Sequence, residues 1–409
     1  MTSIQPTQTP LRFSPKDTNE LAQTISESNT VGRRLEIVGG GTKRSLGDPV
    51  TADAELDMSG LAGIDFYEPE ELVIKAQAGT SVAEIREALA KKKQHLAFEP
   101  PDYATFFGDP CATDTIGGIV ACNLAGPRRI LAGAPRDAVL GVEGVNGRGE
   151  TFKGGGRTVK NVTGYDIPKL MTGSFGVLAA LTSVTLKVLP APPREITLLL
   201  TGLNDAKAMD VLADVLTMPA DVSAAAHLGG CRSDTPVSAI RLEGFQDPVG
   251  ARATELECRL HKTSDIRTIA DDESRDFWRK LRDLSSFATD PHACVWRLML
   301  PGTQAARVVN AMGGEAVYDW GGSEVFMLME AVNAEEHAQV LRAMMGEAGG
   351  GNACLFRAPA ELRRRVGTFQ PRSKALQELG ERVRQTFDPN GILNPNKLGA
   401  GDQQRSSMT

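Results

Sequence analysis

Three consecutive glycines at the end of a β-branched run, in Ile37-Val38-Gly39-Gly40-Gly41-Thr42, constrain this chain more than any other stretch. Residues without Cβ let the backbone take positive φ and bring its N–H groups up to a bound anion. A second cluster, Thr115-Ile116-Gly117-Gly118, leads into Ala121-Cys122-Asn123-Leu124-Ala125-Gly126. A third, Gly173-Ser174-Phe175-Gly176-Val177-Leu178, opens a strand-like segment over 182–188. Each alone also reads as an ordinary glycine-rich turn. In this order they describe a cradle for a large diphosphate ligand.

Two common phosphate loops do not fit. A Walker A loop needs G-x-x-x-x-G-K-[ST], whereas Thr42-Lys43-Arg44 follows the triple glycine. A dinucleotide fingerprint needs G-x-G-x-x-G opening a helix, but position 44 is Arg and Pro49 follows soon after.

Composition narrows the class. A chain of 409 residues, 41% hydrophobic and 23% charged, is long enough for two or three packed domains. A formal net charge of −6 without a dense basic run argues against a nucleic-acid surface. Lys91-Lys92-Lys93 and Arg363-Arg364-Arg365 read as solvated helix faces, with docking of an acidic partner as the alternative. No apolar run approaches the roughly 20 residues that cross a bilayer, and Met1–Pro10 is too polar for a signal core. The expectation is a cytoplasmic protein, peripheral to the inner membrane at most through partners. The six cysteines contain no C-x-x-C pair and hold neither zinc nor an iron–sulfur cluster locally.

Along the chain, residues 1–10 are expected to be disordered. The pattern predicts a helix from Ser14 to Ser26, a strand Leu35–Val38, a strand Glu71–Gln77 and a helix Val82–Lys91. Residues 96–136 read as loop-rich, and loops of that length usually wrap a ligand. Strands follow at Ala138–Asn146, Glu150–Lys153 and Val177–Leu189, and Pro190-Ala191-Pro192-Pro193 marks a domain boundary. Beyond it, short strands alternate with single helices, as in a sheet with helices on one face. The helix Ser373–Phe387 precedes a closing loop, Asp388–Lys397, and a polar tail.

The order of these segments resembles the vanillyl-alcohol-oxidase-type (PCMH) FAD-binding flavoproteins over about residues 11–190, and again at the C-terminal loop. Gly126-Pro127-Arg128-Arg129, the run Lys160–Asp166 and the ending Asp388–Pro395 narrow the resemblance to the FAD-binding subunits of bacterial glycolate oxidases. The resemblance implies an α+β fold: a two-lobed FAD-binding domain over 11–190, an α+β (ferredoxin-like) cap over 191–387, and a loop over 388–409 returning to the flavin. It places Gly39, Gly40, Gly41, Thr42 and Lys43 around the pyrophosphate. Thr115, Gly117, Gly118, Asn123 and Gly126 would lie close to the cofactor, and Gly176, Val177 and Leu178 at the adenosine end. Asn394 and Lys397 would reach back to the isoalloxazine. Implied partners are a catalytic FAD subunit and an iron–sulfur subunit, with a small 2-hydroxy acid as substrate.

Departures from that pattern bear on mechanism. Relatives that oxidise D-2-hydroxy acids carry a histidine-rich string in the second domain. Here the five histidines are scattered, and the corresponding Trp320-Gly321-Gly322-Ser323 has none. Thr42 stands where flavin-tethering relatives use histidine, and Cys122 reads as a small buried hydrophobe, so non-covalent FAD is expected. Candidate catalytic residues are Tyr165, equally readable as a packed aromatic, and Lys160. Arg128, Arg129 and Arg136 fit either a carboxylate substrate or a partner subunit. The preferred function is a flavin subunit of a glycolate-oxidising complex that relays electrons or scaffolds a catalytic subunit. A stand-alone FAD-dependent D-2-hydroxy acid dehydrogenase is the alternative. A partner that has lost FAD is disfavoured by so many glycines.

Overall fold

The computed structural model describes residues 11–157, 164–229, 235–290 and 292–399. The expected disordered N-terminus, the end of the polar tail, Lys160 and Cys231 lie outside these residues. The first lobe is a three-stranded parallel sheet in which Ala54–Asp57 lies between Leu11–Phe13 and Leu35–Val38. Its helix starts at Thr18 rather than Ser14, because the Asp17 carboxylate caps it by accepting from the Asn19 and Glu20 amides. That helix runs to Thr30 and buries Leu21 and Ile25.

The second lobe is a five-stranded antiparallel sheet in the order Ile64–Glu68, Val73–Gln77, Ala179–Lys187, Val139–Asn146, Thr151–Gly155. Two of these strands are shorter than the sequence suggests. Leu72 has φ of 56° and delays the second strand to Val73, while the turn at Gly176, with φ of 73°, delays the third to Ala179. Helix Val82–Ala90, capped by Ser81, packs Val82, Ile85 and Leu89 into the core. The stretch expected to be mostly loop contains the helix Ile116–Cys122 and two single turns, Arg129–Ala132 and Pro135–Ala138.

The cap is one eight-stranded antiparallel sheet built from two consecutive units of the same topology. In the first, strand Arg194–Thr201, helix Asp205–Thr217, strands Val222–Leu228 and Val237–Gly244, helix Gln246–Leu260 and strand Asp265–Ala270 follow in turn. Its strands lie in the spatial order fourth, first, third, second, the arrangement of a ferredoxin-like unit. The second unit repeats this with strands Cys294–Met299, Glu315–Asp319, Glu324–Met329 and Asn352–Arg357, and helices Gly302–Met312 and Ala334–Glu347. The halves join where His227 pairs with Tyr318 and Leu228 with Val317.

Strand alternation gives the sheet two buried faces. Trp296, Tyr318 and Ile240 face the helices, packing on Leu212, Leu256 and Leu341. Val295, Val317, Phe326 and Phe356 face the N-terminal domain. There Tyr103 meets Phe356 edge-on at 5.5 Å between ring centroids, so the 96–136 segment covers the cap.

The cap sheet closes at Arg357, well before the expected boundary at 387. Helix Lys374–Phe387 instead sits against the second lobe, where Phe387 meets Phe152 and the Gly147 amide donates to the Phe387 carbonyl at 2.9 Å.

Candidate functional site

A cavity opens where the three glycine clusters converge. It encloses about 770 Å³ counting its open mouth. Strand Leu35–Val38 delivers Gly39–Lys43 to one wall, and Thr115, Gly117, Gly118 and Cys122 form another. Gly176, Asn394 and Lys397 close the remainder.

The glycines serve different ends. A Cβ on Gly40 would lie 1.7 Å from the Thr113 carbonyl oxygen, and one on Gly39 would lie 2.4 Å from Thr115 Oγ1. These two let the loop press against the opposite wall. Gly41 has φ of 88° and a Cβ there would meet nothing, so its backbone faces open space. Gly117 fits tightly against Ala78, with a Cβ placed 2.7 Å from the Ala78 carbonyl oxygen. A cradle that Cβ atoms would narrow, with an open side, fits the pyrophosphate of a dinucleotide-sized group.

Charges in the walls are mostly paired. The Lys43 ammonium pairs with the buried Asp114 carboxylate and donates to Thr42 Oγ1 at 2.8 Å, and Thr42 Oγ1 donates to Asp114 at 2.5 Å. Arg44 is held by Glu36 at 2.6 Å and Glu55 at 2.9 Å. Lys397 differs: it is 6% exposed, its ammonium donates to the Arg44 carbonyl at 2.8 Å, and burial pulls its pKa down to about 8. Asn394 is a clamp whose amide accepts from the Ile37 N–H at 2.7 Å and donates to the Phe175 carbonyl at 2.8 Å. Burial pushes the Cys122 thiol up to about 11.

Other candidate residues lie away from the cavity. Asn123 caps helix Ile116–Cys122 with φ of 52° and accepts from the Arg136 amide at 3.1 Å. The Gly126 carbonyl accepts from Trp320 Nε1 at 3.1 Å, at the junction with the cap. Val177 and Leu178 are core residues, and Tyr165 is 90% exposed. Arg128 is buried on Glu243 at 2.5 Å, and Arg129 stacks 4.5 Å above the Trp320 ring. Both are engaged within the chain rather than held open for a substrate. Among the described residues, no histidine lines the cavity. Among the described residues, no group of three or more His, Cys, Asp or Glu side chains is placed to hold a metal ion, and no helix is long and apolar enough to cross a membrane. Sequence reading missed Asp114, Glu36 and Arg44, whose signal was only charge beside a glycine turn.

Comparison with known proteins fits this geometry. Residues 10–155 match the family model described as an FAD binding domain. The chain is 33% identical to the glycolate oxidase subunit GlcE of Escherichia coli (strain K12) over 93% of its own length and 97% of that protein. It is 35% identical to a D-lactate dehydrogenase of Anaerostipes hadrus, over 41% of this chain and 32% of that one. In fold it is similar to 4-ethylphenol oxidase from Gulosibacter chungangensis, with a TM-score of 0.69 and 15% identity, over 95% of this chain and 88% of that one. With this fold, an FAD binding domain at its N-terminal end and a match spanning nearly all of both sequences, the chain belongs to the GlcE-type glycolate oxidase subunit family within the PCMH-type FAD-binding oxidoreductases.

Proposed function

We propose that this chain is the FAD-carrying subunit of a complex that oxidises glycolate to glyoxylate. In this reading it relays electrons or scaffolds a catalytic flavoprotein subunit, with an iron–sulfur subunit as a further partner. The observation that carries the reading is the match to GlcE along almost the whole of both chains. FAD is held without a covalent bond by the backbone of Gly39–Lys43 and by Thr115, Gly117, Gly118 and Gly176, with Asn394 and Lys397 closing the site.

A flavin held by these residues would supply a two-electron acceptor for oxidation of a 2-hydroxy acid. The hydroxyl proton then needs a base within hydrogen-bond reach. Among the described residues the cavity lining holds Glu36, already paired with Arg44, Lys43, paired with Asp114, the high-pKa Cys122 thiol, and Lys397, whose ammonium donates to the Arg44 carbonyl, but no histidine. This supports placing the chemical step on a partner.

The D-lactate dehydrogenase relative favours a second reading, a 2-hydroxy acid dehydrogenase acting alone. The visible spectrum of the purified chain, before and after anaerobic glycolate, separates the two. Flavin bands that stay oxidised support the subunit reading. Bands that bleach within seconds make the chain an enzyme in its own right.

A further inference from the structure

The cradle contains two buried lysines in opposite electrostatic states. Lys43, with its side chain 9% exposed, is neutralised by Asp114, 8% exposed, which also accepts from Thr42. The pair ties the glycine loop to the segment before helix Ile116–Cys122. The same two walls also meet through the Thr113 amide, which donates to the Gly40 carbonyl at 3.2 Å. Lys397 has only the Arg44 carbonyl as a partner, and no carboxylate lies within ion-pair distance of it among the described residues. Its position is fixed from both sides, since its carbonyl accepts from the Asp48 amide at 3.0 Å and its amide donates to the Asn394 carbonyl at 3.1 Å. A buried ammonium without a counter-ion is costly, and an arriving anion relieves that cost.

Building on the FAD reading above, we propose that Asp114 is the resident counter-anion of Lys43, and that Lys397 is the cation this cradle presents to the cofactor's diphosphate. Lys43 contributes its backbone to the cradle while its side chain braces the two walls. Asp114 is then a positioning residue whose charge must be matched whenever the site is filled. If Lys43 is removed alone, an uncompensated carboxylate is left against the loop that would hold the diphosphate. If both charges are removed, the repulsion disappears with them.

The test is equilibrium binding of FAD to deflavinated full-length protein, followed by quenching of flavin fluorescence, with circular dichroism as a check on folding. Lys43→Met should weaken binding by roughly tenfold or more, because an unmatched buried charge is left behind. The double variant Lys43→Met/Asp114→Asn should return to within about threefold of wild type, and Lys397→Met should bind weakly with Asp114 intact. A double variant as weak as Lys43→Met, or a Lys43→Met protein that binds normally, overturns the proposal. So does a Lys397→Met protein with wild-type affinity. If the methionine variants do not fold, Lys43→Gln with and without Asp114→Asn makes the same comparison while keeping a hydrogen-bonding side chain. A wild-type protein that fails to take up FAD defeats the cofactor-site reading itself, an outcome distinct from all of these.

Discussion

Glu99 of the N-terminal domain and Arg241 of the cap form a two-pronged ion pair, each carboxylate oxygen 2.9 Å from one guanidinium nitrogen. Arg128 adds a third contact, its amide donating to Glu99 at 2.8 Å. Burial alone would raise the Glu99 pKa, but the charges of Arg241 and Arg128 overcome it and hold the carboxyl well below the usual range.

Arg241→Met should therefore destabilise the protein by about 3–5 kcal/mol, since it strands a buried carboxylate. A depressed carboxylate contributes stability above its unfolded pKa and loses it as pH falls through the folded one. The gap in melting temperature between wild type and variant should be full at neutral pH and narrow on acidification. A gap that widens in acid would contradict the assignment.

Glu195, in the same interface, is shifted the other way. Burial lifts its carboxyl to about 6 although Arg241 opposes the rise, and Ser274 donates to it at 2.6 Å. A raised acid favours folding only while protonated, so its penalty grows as pH climbs from the unfolded value of 4.5 to about 6 and is constant above. Glu195→Gln should stabilise the protein at pH 7 by roughly 2 kcal/mol and flatten that part of the stability profile. Thermal melts across pH 4 to 7 (~1-unit steps suffice for a shift of this size) decide it.

Gly40 and Gly41 should respond differently to alanine. At Gly40 the new Cβ collides with the Thr113 carbonyl, so the apoprotein itself should lose stability. At Gly41 the cost is the left-handed backbone alone, about 1–2 kcal/mol, and the main loss should be in FAD affinity. Melting the apoproteins and titrating them with FAD separates these effects. Equal apoprotein melting temperatures for the two variants would refute the distinction.

Cys122 lines the cavity but is protonated at neutral pH. Acid precipitation should leave the flavin in solution, and Cys122→Ala should retain FAD. Iodoacetamide should label the exposed Cys111 and Cys258 before Cys122. Flavin that co-precipitates with wild-type protein but not with Cys122→Ala would reveal a tether.

The glycine clusters were legible because a missing Cβ is a local signal, and Gly39–Lys43, Thr115–Gly118 and Gly176 do meet in one cavity. What brings them together was less legible. Asn394 read as a candidate flavin contact, yet its amide is engaged by the Ile37 and Phe175 backbone, a pairing between distant segments. The repeat in the cap left no shared motif, because a ferredoxin-like unit needs only strand and helix periodicity. Helix Asp271–Arg282 escaped notice because charge crowds its sequence, although Trp278 anchors it through a 2.7 Å bond to Thr197. Arg128 advertised a substrate or a partner, and the structure gives it Glu243 instead.

The Asn394 clamp bears on the order of events during synthesis. It joins residues 357 positions apart, and Lys397 lies three residues further on. N-terminal domains ordinarily fold first as a chain emerges from the ribosome. Here the glycine loop emerges early but lacks its closing edge until the whole cap has been translated. A flavin site closed by Asn394 and Lys397 is therefore complete only after the cap and the segment beyond it have left the ribosome.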